Sequence, residues 1–312
     1  MSDVIIADFL NLRDSSVPPC LCGSKKEPRR TQRHRGITEV IYVQISDDHI
    51  RHQRSCSIFG NFMTEFSHDR IKPFSDKGSK KEQVSEMFDE IAPKYDFMNR
   101  FLSAGIDRGW RRKAIEFFRK DHPAKILDVA TGTADMAIMA ARMLEPKEII
   151  GIDISEKMLE IGRKKIEQQS LGTNIALYSG DGETISFPDN TFDGVMVAFG
   201  VRNFEHLEKG LQEILRLLKP GGQLVVLEFS KPRIPGVRNL YNLYMGIVAP
   251  KMAGWFKQNK KAYQYLNESA KAFPDRQLFV DVLNQTGFSG TLFKPLSLGI
   301  CCIYSGRKPI GA

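Results

Sequence analysis

The stretch Ala124-Lys-Ile-Leu-Asp-Val-Ala-Thr-Gly-Thr-Ala-Asp135 decides the fold. Ile126, Leu127 and Val129 form a short apolar run that predicts a buried strand, with Asp128 near its end. Ala130 to Ala134 are small residues, which let a backbone turn tightly and approach a ligand. From Asp135 onward, Met136-Ala-Ile-Met-Ala-Ala141 reads as a helix. Strand, tight turn and helix make the first half of a nucleotide-binding βαβ unit, whose helix start offers backbone N–H groups to a ligand. The turn lacks the full G-x-G-x-x-G pattern, with Gly132 as its only glycine, and an ordinary α/β turn is the bland alternative.

The next unit extends the pattern. Glu148-Ile-Ile-Gly-Ile-Asp153 is a second strand ending in an acid. Asp153 follows Asp128 at close to the ~20-residue spacing at which a carboxylate meets ribose hydroxyls. A carboxylate suits that task because it only accepts hydrogen bonds, and two adjacent hydroxyls can both donate to it. The helix from Ser155 to Gln169 has Ser155 as its N-cap. Ala176 to Gly180 is a third strand, ending in Asp181-Gly182. There an acid could accept from an exocyclic amine while a glycine N–H donates to a ring nitrogen. Phe192 to Phe199 is a fourth strand, ending in Gly200-Val-Arg-Asn203. A helix from Phe204 to Leu218 puts Leu207, Leu211, Ile214 and Leu215 on one face. Lys219-Pro-Gly-Gly222 stops it before a fifth strand, Gln223 to Phe229. Strands alternating with helices predict a parallel sheet covered on both faces, which binds ligands beyond its strand C-terminal ends. Thr133, Asp153, Asp181 and Arg202 all fall there.

Outside this core the signals are weaker. Val84, Met87, Phe88 and Ile91 predict a helix from Lys80, which Pro93 is expected to interrupt. Tyr95, Phe97, Met98 and Trp110 give that region an aromatic, adaptable surface, either a lid over a hydrophobic ligand or a docking face for the sheet. Trp110 to Arg119 reads as a helix into the first strand. Residues 240–256 are rich in Tyr, Met and Trp, the composition of a wall for a greasy substrate, a bilayer-facing surface or an ordinary buried helix. Arg276 to Gln285 reads as a helix, and Gly290 to Leu296 with Leu298 to Ser305 as a closing hairpin. Residues 1–62 are set apart: basic, turn-rich and with little to bury, they read as a disordered extension or an over-long start ahead of Met63. The rest, 63–312, divides into a helical lid (about 80–120), a ligand-binding core (about 121–232) and substrate-side helices with the hairpin (233–312).

Bulk properties set limits. A chain of 312 residues with 42% hydrophobic and 26% charged residues is ordinary for a globular protein. No run approaches the ~18 apolar residues of a spanning helix. The net charge of +8 favours an anionic partner only weakly. Five cysteines make no disulfide framework, Cys20 and Cys22 lack a second pair at zinc spacing, and no metal site is expected. Cys301-Cys302 reads as core, and a reducing cytoplasm fits. The N-terminus is a poor signal peptide.

Four stretches carry a resemblance: Met87-Phe-Asp-Glu-Ile-Ala-Pro-Lys-Tyr-Asp-Phe-Met-Asn99, Asp128 to Asp135, Ala198-Phe-Gly-Val-Arg-Asn203, and Leu218-Lys-Pro-Gly-Gly-Gln-Leu-Val-Val-Leu-Glu-Phe-Ser-Lys-Pro232. They resemble class I S-adenosylmethionine-dependent methyltransferases, and within these the quinone-biosynthesis C-methyltransferases of the UbiE/MenG type, from about Lys80 to Lys308. The resemblance implies a Rossmann-like, mostly parallel seven-stranded sheet with a C-terminal antiparallel hairpin. It implies S-adenosylmethionine at the strand tips, with Thr133 and neighbouring backbone near its methionine part, Gly132 and Asp128 also cofactor-binding, Asp153 on the ribose, and Asp181 and Gly182 on the adenine. Some relatives carry Ser at the position of Ala198, a contact not carried over. The implied reaction is C-methylation of a prenylated hydroquinone, demethylmenaquinol before a benzoquinol, with Arg202 stabilising the phenolate, Asn203 orienting it, and His206 and Tyr95 as candidate bases. The expected partners are the quinol and, transiently, a membrane surface on the cytoplasmic side, without nucleic acid; a homodimer is left open. Two competing readings are a nucleic-acid methyltransferase, prompted by the charge, and a cofactor-binding scaffold without turnover.

Overall fold

The computed structural model divides the chain into two units, Met1–Ile58 and Phe59–Ala312. It describes residues 66–103, 105–239, 241, 243 and 260–311. The readings of residues 1–62, and of 240–256 apart from 241 and 243, lie outside the described residues.

Seven strands form one sheet: β1 (Lys125–Val129), β2 (Glu148–Asp153), β3 (Ile175–Ser179), β4 (Phe192–Ala198), β5 (Leu218–Phe229), β6 (Ser289–Leu296) and β7 (Cys301–Arg307). Their order is β3-β2-β1-β4-β5-β7-β6. Strands β1 to β5 pair in parallel, and β7 is antiparallel to both β5 and β6. The helices are α1 (Lys80–Leu102), α2 (Asp107–Ile115), α3 (Asp135–Leu144), α4 (Glu156–Gln168), α5 (Leu207–Leu217), α6 (Lys260–Ala272) and α7 (Gln277–Thr286). This is the expected α/β architecture with its closing antiparallel strands.

Alternation along each strand builds two cores. Leu127, Val129, Ile150, Val195 and Val197 pack with Leu207, Leu211 and Ile214 of α5 and with Phe279 and Leu283 of α7. Ile126, Ile149, Met196 and Val225 pack on the opposite face with Ala114, Ala137 and Leu159 of α2, α3 and α4. Covering both faces explains why the parallel strands read as continuous apolar runs. The strand order reverses between β1 and β4, which opens a crevice at their C-terminal ends.

Four readings need correction. Pro93 does not interrupt α1, which runs through it; burial of Val84, Met87, Ile91 and Met98 along the helix holds both halves in line. The helix before β1 starts at Asp107 and tightens into a 3-10 turn at Glu116–Phe118. Lys219 to Gly222 belong to β5 itself, which accommodates them with an irregularity against β4 and a left-handed Gly221 (φ 81°). The last strand begins at Cys301, after a 3-10 turn at Ser297–Gly299 in which Leu298 is left-handed (φ 58°). Trp110 is core: it is 5% exposed, packs against Phe199 and Phe229, and donates its indole N–H to Ser297 Oγ at 2.8 Å. Among the described residues, no helix is long and apolar enough to cross a membrane, and no group of acidic, His or Cys side chains is placed to hold a metal.

Candidate functional site

The tips of β1, β2, β3 and β4 line a partly open pocket under α1. The turn after β1 sets its floor. Ala130, Gly132 and Ala134 all adopt left-handed conformations, with φ of 54°, 57° and 64°. The Cβ atoms of Ala130 and Ala134 already strain the first and last of these, and Gly132 escapes that cost in the middle. Thr131 Oγ1 donates to Asp128 Oδ2 at 2.6 Å. Asp128 Oδ1 is buried without a partner, and burial pushes the carboxyl up to about 7.

Asp153 closes the β2 side. Its Oδ2 accepts from the Gly132 N–H at 2.8 Å and its Oδ1 from the Ser155 N–H at 2.9 Å. Burial raises it to about 6 against the pull of those amides. Each oxygen keeps a lone pair for a further donor from the pocket it lines. Thr133 is oriented differently. Its hydroxyl donates to Asp96 Oδ1 at 2.6 Å and accepts from Lys165 Nζ at 2.9 Å, and Lys165 also pairs with Asp96 and Asp135 at 2.6 Å. The residue thus ties α1 to α3 and α4.

Asp181 and Gly182 lie on the β3 side of the pocket. Asp181 is paired with Lys81 of α1 and accepts from the Glu183 N–H and the Thr184 hydroxyl. Burial would raise its carboxyl, but Lys81 and these donors hold it below the usual range. Gly182 is required by packing, since a Cβ there would stand 2.8 Å from the Phe204 ring.

The β4 tip brings Arg202 and Asn203 into a 3-10 turn, Val201–Asn203. Arg202 is 4% exposed, and its Nη1 donates to Glu228 Oε1 of β5 at 2.5 Å and to Phe199 O at 2.9 Å. Asn203 lines the pocket, as does Tyr95. His206 stands exposed at the start of α5, outside the pocket wall, its N–H on Glu183 Oε1 at 3.0 Å. The N-cap position turns it outward.

Arg202 stands near three phenols. Burial pushes Tyr95, Tyr241 and Tyr265 above the ordinary tyrosine range, and in each case the Arg202 charge pulls back down. A second cation works from behind. Lys80 is fully buried, and its Nζ donates to the carbonyls of His68 (2.8 Å), Arg202 (3.2 Å) and Phe204 (2.7 Å). Sequence reasoning missed Lys80, Lys81, Asp89, Asp96 and Lys165. Their partners are far along the chain, and the one available signal was the polar face of α1: Ser85 Oγ donates to Ile154 O at 2.9 Å, and Asp89 Oδ1 accepts from Ser155 Oγ at 2.6 Å.

Comparison with known proteins gives a consistent result. Residues 76–308 match the ubiE/COQ5 methyltransferase family. A demethylmenaquinone methyltransferase of Bacteroides fragilis is 45% identical over 243 residues, covering 78% of this chain and 99% of its own. A ubiquinone/menaquinone biosynthesis C-methyltransferase UbiE of Geobacter sulfurreducens is 43% identical over 230 residues, covering 73% and 90%. A solved SAM-dependent methyltransferase of Thermotoga maritima superposes with a TM-score of 0.51 at 19% identity, covering 72% of this chain and 99% of that one, a likeness of fold.

Proposed function

The chain belongs to the ubiE/COQ5 methyltransferase family, and from that premise we propose that it methylates a ring carbon of demethylmenaquinol, a prenylated hydroquinone and the reduced form of the demethylmenaquinone in its Bacteroides relative's name. The methyl donor is S-adenosylmethionine, which when bound supplies an electrophilic methyl group on a sulfonium. The residues present fit it. Asp153, buried on the pocket wall, keeps carboxylate lone pairs beyond the amides of Gly132 and Ser155, and Asp181 with the Gly182 backbone lines the same pocket, the acceptors and donors a nucleoside needs. In this reading Asp153 takes the ribose hydroxyls, Asp181 and the Gly182 backbone take the adenine, and the Gly132 turn lies beside them.

The observation that carries the acceptor chemistry is the β4 tip, where Asn203 lines the pocket and shares Phe199 O with the buried Arg202 guanidinium. A free phenol ionises near pKa ~10, and a hydroquinone becomes a strong carbon nucleophile only as its phenolate. The Arg202 charge already opposes burial at three neighbouring phenols. Burial still wins at all three, so a quinol hydroxyl placed among them needs a direct donor as well as that charge. Asn203, which reaches the pocket, donates to that oxygen. Arg202 works from behind, held by Glu228. The ring proton leaves to water after methyl transfer, since His206 faces away and burial keeps Tyr95, the other candidate base, protonated. Phe97 and Phe101, stacked with centroids 6.0 Å apart and 58% and 48% exposed, give α1 an apolar surface for the prenyl tail or for transient contact with the inner face of the cell membrane.

Labelled S-adenosylmethionine offered with chemically reduced demethylmenaquinone and, separately, a benzoquinone analogue tests the proposal. Label is expected in the naphthoquinol, and Arg202→Ala is expected to lower the rate about 10²–10³-fold. Label in neither acceptor while the cofactor still binds would overturn it. Asp153→Ala is expected to weaken cofactor binding roughly 10–100-fold, the worth of a charged hydrogen bond. Because the Asp153 carboxyl is raised to about 6, binding to the parent should also weaken as pH falls below about 6, and titration calorimetry at pH 5 and 8 checks both.

A further inference from the structure

We propose that Tyr265 is a positioning residue for methyl transfer: its hydroxyl fixes the Asn203 amide so that an N–H, and not the carbonyl, faces the acceptor oxygen in the pocket. The inference rests on the proposed function, in which Asn203 meets that oxygen. Tyr265 comes from α6, well outside the cofactor-binding core, and is 1% exposed. Its Oη lies 3.2 Å from Asn203 Oδ1, while Asn203 Nδ2 donates to Phe199 O at 3.3 Å.

The orientation follows from donor chemistry. Phe199 O only accepts, and it already accepts from Arg202 Nη1, so the amide NH₂ must point toward it. Asn203 Oδ1 then faces Tyr265, and because Oδ1 only accepts, the phenol must be the donor. One Nδ2 hydrogen is used on Phe199 and the second is left for the pocket that Asn203 lines. An inverted amide would set Oδ1 against Phe199 O and leave no N–H for a phenolate. Burial holds Tyr265 above the ordinary tyrosine range, so it stays protonated, and a donor, across neutral and mildly basic pH. Removing the hydroxyl leaves only the 3.3 Å bond to Phe199 O to set the amide and strips Oδ1 of its donor, so the side chain can rotate about that single contact and turn its second N–H off the acceptor oxygen.

The test is a double-variant cycle on the full chain with Tyr265→Phe, Asn203→Ala and the pair, reading kcat, KM for S-adenosylmethionine and the melting temperature with reduced demethylmenaquinone as acceptor. Tyr265→Phe is expected to lower kcat about tenfold, roughly one hydrogen bond's worth, with KM for the methyl donor and the melting temperature unchanged. In the Asn203→Ala background the same substitution is expected to have no further effect. Full activity in Tyr265→Phe, or the same tenfold loss in both backgrounds, would overturn the inference. Should Tyr265→Phe fail to fold, a variant with 4-aminophenylalanine in place of Tyr265 substitutes for it: it keeps the shape but is a weaker donor to Asn203 Oδ1, so kcat should fall part of the way, and parent-like kcat would overturn the proposal. An Asn203→Ala variant with undiminished kcat would instead sink the underlying assignment of Asn203, a result distinct from a failure of Tyr265 alone.

Discussion

Asp128→Asn is expected to stabilise the fold by on the order of 2–4 kcal/mol at pH 8 and by almost nothing near pH 4. Burial raises the Asp128 carboxyl to about 7, well above the ~3.9 of an unfolded chain, and each pH unit of displacement is worth about 1.36 kcal/mol. The sign follows from proton counting. Between those two values the folded chain holds the proton more firmly than the unfolded one, so stability falls as pH rises through that window and the full cost remains above about pH 7. Asparagine carries no such cost and still accepts from Thr131. Parent and variant should therefore converge in urea melts near pH 4 and separate steadily toward pH 8. A constant separation at all pH values would show that Asp128 does not ionise within the fold. Cofactor binding is expected to move the opposite way, because the variant removes an anion from the end of β1, next to a pocket proposed to hold a cation. Stability surrendered at a ligand site in this manner is a common trade.

Lys80→Met has an effect of similar size in the other direction. Burial lowers the Lys80 ammonium to about 8, with Asp69, Glu183 and Glu205 opposing that fall. Methionine would relieve a cost of about 3 kcal/mol. Against this, the carbonyls of His68, Arg202 and Phe204 lose their donor, at roughly 1–3 kcal/mol for each buried group left unpaired, and three carboxylates lose a counter-charge. The net expectation is a loss on the order of 2–4 kcal/mol, together with failure of methyl transfer, because two of the three carbonyls bracket Asn203. The parent should also gain stability between about pH 8 and 10.5. There the folded ammonium has released a proton that the unfolded chain still holds. Lys80→Met should lack that gain. Denaturant melts at pH 7 and pH 10 separate the two cases, and an unchanged midpoint at pH 7 would refute the clamp.

The fold was largely legible because its signals are local. The run from Ala124 to Asp135 encodes a strand by its apolar residues and a left-handed turn by its alanines and glycine, each readable within a dozen positions. The acids at the ends of β2 and β3 were legible for the same reason. What was illegible is long-range. Lys80 and Lys81 are adjacent, yet one ends buried under the β4 tip and the other on Asp181, about a hundred residues away. Nothing in a Lys-Lys pair at a helix start distinguishes them from a solvated face. Thr133 was placed beside the ligand by its position in the turn, but its hydroxyl is turned to Asp96 and Lys165, partners from two other helices. Pro93 shows the opposite limit: a strong local breaker was overruled because α1 is held along its length by tertiary packing.

The position of β7 has a consequence for biosynthesis. It lies between β5 and β6 and is the last of the described strands to emerge from the ribosome. Until it arrives, the nascent chain carries β5 with an open edge of apolar, β-branched sequence, the kind of surface that pairs with other chains. Folding that proceeds from the N-terminus can finish the parallel strands and most of the ligand pocket while the molecule is still unsealed. Quality control in the cell therefore has a window in which this protein is nearly complete in its chemistry yet sticky along one seam. Slowing translation between β5 and β7 should lengthen that window and raise the share of chains lost to aggregation.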